Sequence, residues 1–284
     1  ARARMWARAR GRVLARAGCR GGSHVAPALL ISAPPHAPLN CSASSREPTS
    51  RSGGKPAVGA ELKRAHWVQE VRRDNRASIS DFKAPHRDWT PAPRFVEAFK
   101  EATFPEPDTL FDNYATRERA AAHAMGIGAH MKIGSDLKAD HWPHRSYLLD
   151  EDLKGEALIR AKYQAYMRDY FACVAGVDEN VGRLVQQLKD DGLYDNTIVM
   201  FSSDQGFYLG EHGWFDKRWM YEESFRTPFV AKWKGVIEPS TVNEDLAQNI
   251  DFAPTFLDIA GVAAPGDMQG ESLVPLREGQ TPDD

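Results

Sequence analysis

The sequence predicts an α/β domain preceded by a segment without regular structure. Three observations predict it. A long helical stripe of apolar residues leads through a short turn into the β-branched run "TIVMFSS", which is how one half of a parallel α/β unit reads. A second apolar run, "PFVAKW", follows one loop later. Regular patterning begins only near residue 81, so residues 1–80 are expected to be low-complexity and unstructured or out of frame, and residues 81–284 to hold the fold.

The first eighty residues are dominated by Gly, Pro, Ser and Arg, with no sustained period. Residues 1–46 carry eight arginines and no acid, which against a whole-chain charge of -3 leaves -11 for the rest. That bias suits an organellar transit peptide or a stretch read out of frame. "APALLISAPP" is too short and too Pro-broken to span a membrane. The small negative net charge argues against a dedicated nucleic-acid binder. Cys19, Cys41 and Cys173 are too few and scattered for a disulfide framework or zinc cluster.

Further along, residues 95–100 read as a short helix, "TFPEPDTLFDNY" as a Pro-punctuated loop, and residues 117–125 as an Ala-rich helix. The strongest signal is "LKGEALIRAKYQAYMRDYFACVAGVDENVGRLVQQLKDDG". Tyr163, Tyr166, Met167, Tyr170, Val174, Val177, Val181, Leu184, Val185 and Leu188 recur at helical spacing, as one long amphipathic helix or two abutting ones. Gly192 reads as its left-handed cap. "TIVMFSS" reads as a strand covered on both faces. In "DFAPTFLDIAG", Asp251 reads as the N-cap, Pro254 as a first-turn residue and Gly261 as the stop.

The segment "FSSDQGFYLGEHGWFDKRWMYEE" crowds hard polar groups between aromatics just past a buried strand, where functional groups collect in open α/β sheets. Asp204 and Gln205 offer a carboxylate and an amide oxygen, donors suited to Ca2+ or Mg2+; a plain tight turn is the alternative. His212, flanked by glycines, suits a general acid or anion donor, or else a satisfied structural histidine. Lys217 suits an anionic oxygen, or else a salt bridge to Asp216, Glu222 or Glu223. In "KAPHRDW", His86 beside Arg87 suits an oxyanion, with an ordinary loop as its alternative.

Taken in order, "KAPHRDW", "PEPDTLFDNY", "YFACVAGVDENVGRLVQQL", "SSDQGFYLGEHGWFDKRWMYEES", "RTPFVAKWKG" and "QNIDFAPTFLDIAGVAAPGDMQGESLVPL" resemble the type I, formylglycine-dependent sulfatases of the alkaline-phosphatase superfold. They look closest to bacterial iduronate-2-sulfatase and heparan-sulfatase kinds. The resemblance covers residues 82–279 and corresponds to the C-terminal half of a catalytic domain. It implies an alkaline-phosphatase-like α/β fold, a mixed sheet sandwiched by helices and here incomplete, and calcium-dependent hydrolysis of sulfate esters. Asp204 and Gln205 would be two calcium ligands, His86 would meet the sulfate and the leaving oxygen, Lys217 would meet sulfate oxygens, and His212 would support them. The implied partner is a sulfated small molecule or glycan. Such relatives are mostly secreted, periplasmic or lysosomal.

The same resemblance names what departs from the pattern. The family nucleophile lies in Cys-x-Pro/Ala-x-Arg, and the nearest approximation is "CSASSR", where Cys41 is the candidate nucleophile but Arg46 stands one residue too late. No Asp precedes Asp74, so the family's early acidic pair has no counterpart. An inactive fragment is therefore one expectation. Two other readings stand beside it: a glycan-binding protein without turnover that uses His86, Lys217 and Arg218, and a phosphoryl hydrolase of the same superfold.

Overall fold

The computed structural model describes residues 28–32, 76–80, 82–119, 121 and 125–278. Six strands and five α-helices are named here in chain order. Strands β1 (Ala28–Ser32) and β2 (Arg76–Ser80) lie in the first eighty residues; β3 (Thr197–Ser202) and β6 (Phe229–Lys232) are the two apolar runs read from the sequence. Together they form one sheet in the order β2-β1-β3-β6, and β4 (Tyr208–Leu209) pairs with β5 (Phe215–Asp216) in a small ribbon.

The architecture combines helices with a four-stranded sheet, as an α/β reading expects, but the expectation of a parallel unit fails among the described strands. β1 pairs antiparallel with both β2 and β3, and β3 pairs antiparallel with β6. The reason is the connection. Parallel neighbours need a crossover of a dozen or more residues, usually a helix. Residues 203–228, between β3 and β6, hold only β4, β5, one three-residue 3-10 turn and the four-residue helix α4 (Glu222–Phe225), with no crossover helix, and the chain returns antiparallel.

β3 alternates as a strand must. Ile198 and Met200 are buried and pack against Phe252, Phe256 and Ile259 of helix α5 (Phe252–Ile259), whereas Val199 and Phe201 on the opposite face are only half-buried. Thus the described residues cover one face of β3 with a helix, not both as read from the sequence. Asp251 stands at the N-cap position of α5 as read, but its side chain makes no capping bond to that helix. It is instead the N3 residue of a capping box on the preceding 3-10 turn, its carboxylate accepting the Gln248 N–H at 2.6 Å. Its other oxygen accepts the Glu271 N–H at 3.0 Å, so it ties the C-terminal segment to the helix start. Gly261, with φ 68°, ends α5 as expected.

Helix α3 (Gly155–Asp190) is one uninterrupted helix of 36 residues. Its buried stripe includes Tyr163, Tyr166, Met167, Tyr170, Val174, Val177 and Leu188, the residues that set the sequence period. Gly192 closes it at φ 69°, with its N–H on the Lys189 carbonyl and the Leu193 N–H on that of Leu188. Helix α1 (Pro93–Phe99) starts two residues earlier than the sequence suggested, with proline in the first turn. In the 117–125 stretch, residues 120 and 122–124 lie outside the described residues. Ala121 donates to the Glu118 carbonyl, three residues back, which is 3-10 geometry rather than α. The short helix α2 (Ile127–His130) follows.

Two charges are buried on α3's flank. Arg145 donates to both carboxylate oxygens of Asp169, and their side chains are 3% and 1% exposed. Arg145 also donates to the Leu137 carbonyl at 2.6 Å, which satisfies a further guanidinium N–H that would be costly to strand.

Candidate active site

An aromatic cluster joins the two candidate loops. Trp89, wholly buried, lies 4.5 Å from the Tyr166 ring of α3, 6.2 Å from Phe207 and 6.1 Å from Phe215. Its indole N–H donates to the Pro85 carbonyl at 2.7 Å, so the "KAPHRDW" loop is pinned through its own backbone. The Arg87 guanidinium sits 5.2 Å over the Phe215 ring, a cation–π contact. Phe215 is in β5, two residues before Lys217. The loop of His86 and the turn of Lys217 are thereby fastened to the same ring.

His86 is exposed, and its Nδ1 lies 2.6 Å from the Arg87 carbonyl. A carbonyl oxygen only accepts, so Nδ1 carries the proton and the neutral ring presents Nε2 as an acceptor. Arg87 in turn is clamped on Asp136, at 3.0 Å from Nε and at 2.9 and 3.0 Å from Nη2.

Asp204 and Gln205 follow β3 and are exposed, while Gly206 beside them is buried. The Gly206 N–H donates to the Ser224 carbonyl at 2.7 Å, and the Ser224 hydroxyl donates to the Lys217 carbonyl at 2.6 Å. Two hydrogen bonds therefore connect the Asp204–Gln205 turn to Lys217. Gly206 is needed because a Cβ there would stand 2.1 Å from the Glu223 carbonyl oxygen. From the other side, the Asn249 amide donates to the Ser203 and Asp204 carbonyls at 3.2 and 3.1 Å, which fixes the turn to the start of α5.

Lys217 leaves β5 after Asp216, a left-handed residue at φ 82° whose carboxylate accepts the Lys217 N–H at 2.7 Å. That carboxylate pairs with Arg218 at 3.4 Å, so the ammonium of Lys217 has no carboxylate partner among the described residues. The salt bridge weighed as the alternative for Lys217 does not form there.

His212 also has a left-handed backbone, φ 58°. Such a conformation costs a non-glycine residue energy and persists only where neighbours hold it. Thr109 Oγ1 accepts its N–H at 2.8 Å and the Tyr114 hydroxyl donates to its carbonyl at 2.6 Å. The ring lies between two carboxylates, Nδ1 at 3.6 Å from Asp112 and Nε2 at 3.4 Å from Glu223. Trp214 and Tyr221 flank it, each 5.2 Å away centre to centre. Next to it, burial raises the Glu211 carboxyl above its ordinary value.

Sequence reasoning missed Asp136, Asp112 and Tyr114 as parts of this site. All three act across the chain, 49 residues from Arg87 in the case of Asp136 and 98 from His212 in the case of Tyr114; Asp112 and Tyr114 fall in the block "PEPDTLFDNY", which carries the resemblance without marking their contacts.

Cys41 lies outside the described residues. Cys173 is buried in α3, and desolvation, followed by the nearby Asp169, pushes its thiol up to about 12, which makes it an unreactive core residue. As for calcium, which takes six to eight oxygens, no group of three or more His, Cys, Asp or Glu able to hold a metal occurs among the described residues. Asp204 and Gln205 do not complete such a site; they are a partial donor set of the right chemistry.

Comparison with known proteins bears on this constellation. The chain is 44% identical over 236 residues to an N-acetylglucosamine-6-O-sulfatase of Bacteroides thetaiotaomicron, covering 71% of this chain and 42% of that protein. A solved structure of a protein in complex with its substrate D-glucosamine-2-N,6-O-disulfate superimposes with a TM-score of 0.64 at 44% identity, covering 71% of this chain and 48% of that one. The chain belongs to the type I sulfatase family. A family model for the C-terminal part of N-sulphoglucosamine sulphohydrolase matches residues 210–284 of this sulfatase chain. An ulvan-active sulfatase of Formosa agariphila is 36% identical over 211 residues, covering 74% of this chain and 33% of that protein. The sulfatase chain therefore spans less than half the length of each of these relatives. No helix among its described residues is long and apolar enough to cross a membrane.

Proposed function

We propose that this sulfatase chain serves the hydrolysis of sulfate esters on a sulfated amino sugar or glycan, and that it supplies the half of the site that holds the sulfate. The observation that carries the reading is the Lys217 ammonium, without a carboxylate partner among the described residues, on a backbone held by Asp216 and Ser224 in the ring-pinned platform that also carries the His86 loop. A compact cation without a carboxylate partner, at the end of a rigid turn, is free to meet an anionic oxygen. His86 presents Nε2 to the same anion or to the leaving oxygen. His212, confined between Asp112 and Glu223, supports the site rather than meeting the sulfur.

Asp204 and Gln205 give two of the oxygens of a hard cation, Ca2+ ahead of Mg2+, whose other ligands come from outside this pair. The relatives' action on sulfated glucosamine supports that class of substrate. The test is sulfate release, read by ion chromatography, from glucosamine bearing 6-O- or N-sulfate, with Lys217→Ala alongside. Release that falls with Lys217→Ala bears the reading out; none from any sulfated sugar refutes turnover by this chain.

One observation favours a second reading, binding of sulfated glycan without turnover. The sequence lacks Cys-x-Pro/Ala-x-Arg, and the described cysteine is an inert core thiol. Saturable binding of a sulfated sugar with no sulfate released identifies that case.

A further inference from the structure

The buried carboxylate of Asp136 clamps Arg87 beside the site but faces none of the candidate sulfate-binding groups directly. It lies in a turn between α2 and the 3-10 segment Pro143–Leu149, and its side chain is 1% exposed. A charge so placed has to be fully bonded or it destabilises the fold. Three N–H groups bond it: Arg87 Nε, Arg87 Nη2 and the Lys132 backbone N–H at 2.8 Å. The Arg87 contact is bidentate, which fixes the guanidinium in plane as well as in place.

Arg87 needs no such clamp for its own sake, since its side chain is one-quarter exposed. What the clamp fixes is the Arg87 peptide. That carbonyl oxygen is the acceptor for His86 Nδ1 at 2.6 Å. The other side of the loop is held separately, by the Trp89 indole on the Pro85 carbonyl and by the His86 N–H on the Lys83 carbonyl. The clamped side chain thus anchors the residue whose carbonyl faces His86 Nδ1.

We propose that Asp136 is a positioning residue that acts through Arg87 to hold His86 in the Nδ1–H tautomer, with Nε2 presented outward. What Nε2 faces rests on the proposed function; the tautomer does not. A ring held this way accepts a proton or hydrogen bond at Nε2 when neutral and donates there when protonated, without having to turn over between the two.

The test is nitrogen NMR of the full chain labelled at histidine, well above the imidazole's ordinary pKa of about 6.5, with His86→Gln assigning the signals. The wild type shows Nδ1–H. Replacing both partners, Asp136→Leu with Arg87→Met, removes the pair without stranding a charge. In that folded double variant the His86 signals move to a mixture of tautomers. Arg87→Lys keeps the carboxylate partnered by a point charge and loses the fork, so it reads the same shift if the double variant does not fold.

Where the chain releases sulfate, kcat falls roughly ten- to a hundredfold in these variants with little change in KM. An unchanged Nδ1–H signal in a folded variant, or Nε2–H in the wild type, overturns the inference. If no form releases sulfate but the tautomer moves, the proposed function fails and this inference stands.

Discussion

Replacing Gly206 by alanine tests the packing that brings the Asp204–Gln205 turn to Lys217. The added Cβ would lie 2.1 Å from the Glu223 carbonyl oxygen, 2.8 Å from that of Arg226 and 2.9 Å from the Glu223 carbonyl carbon. All three are backbone atoms, so no side chain can swing aside. Relief requires the 222–226 segment to move, and that movement breaks the 2.7 Å bond from the Gly206 N–H to the Ser224 carbonyl. Overpacking costs about 1–3 kcal/mol, and the lost hydrogen bond about 1 kcal/mol more. A total of about 2–4 kcal/mol lowers Tm by roughly 5–15 °C in a domain of this size. Thermal unfolding followed by circular dichroism reads the shift. Gly134→Ala is the control, because nothing lies within 4 Å of its added Cβ. If Gly206→Ala melts within a degree or two of that control, the close approach is not what holds this turn.

Other expectations follow from the same geometry. Arg145→Met alone leaves Asp169 as a buried unpaired charge and costs about 3–5 kcal/mol, whereas Arg145→Met with Asp169→Leu recovers most of that loss; urea unfolding midpoints of the two variants decide it. Tyr166→Phe removes the hydroxyl that donates to the Tyr208 carbonyl at 2.9 Å, costs about 1–2 kcal/mol and loosens the β4–β5 ribbon, seen as faster amide exchange there. Because burial raises the Cys173 thiol to about 12, it stays neutral at pH 8 and unreactive in the native state. Thiol-reagent titration of the native chain is therefore unchanged by Cys173→Ala, while titration in denaturant falls by one thiol. Lys217→Ala removes no ion pair formed among the described residues, so Tm stays within about a degree while binding of a sulfated sugar weakens about tenfold.

Much of the fold was legible because single elements carry their own period. Helix α3 announces itself by ten apolar residues at helical spacing and by Gly192, and the strands β3 and β6 by short β-branched runs. What could not be read was pairing. Nothing in "TIVMFSS" says whether its neighbours run parallel or antiparallel; that depends on the connection, and here residues 203–228 form a loop rather than a crossover helix. Asp251 shows the same limit at smaller scale, since N-cap and third-residue roles differ by one turn of chain and are told apart only by which N–H the carboxylate meets. In the site, the residues crowded into one segment, Asp204 to Lys217, were visible as a group. Their supports at Asp112, Tyr114 and Asp136 were not, because each reaches its partner across long stretches of chain.

The central claim is that the platform of His86 and Lys217 holds a sulfate. Titration calorimetry of the chain with glucosamine 6-O-sulfate, set against unsulfated glucosamine and repeated with Lys217→Ala, tests it most directly. The account predicts saturable binding of the sulfated sugar alone, weakened about tenfold by the substitution. Equal heats for the two sugars, or sulfated-sugar binding that Lys217→Ala leaves intact, would contradict it.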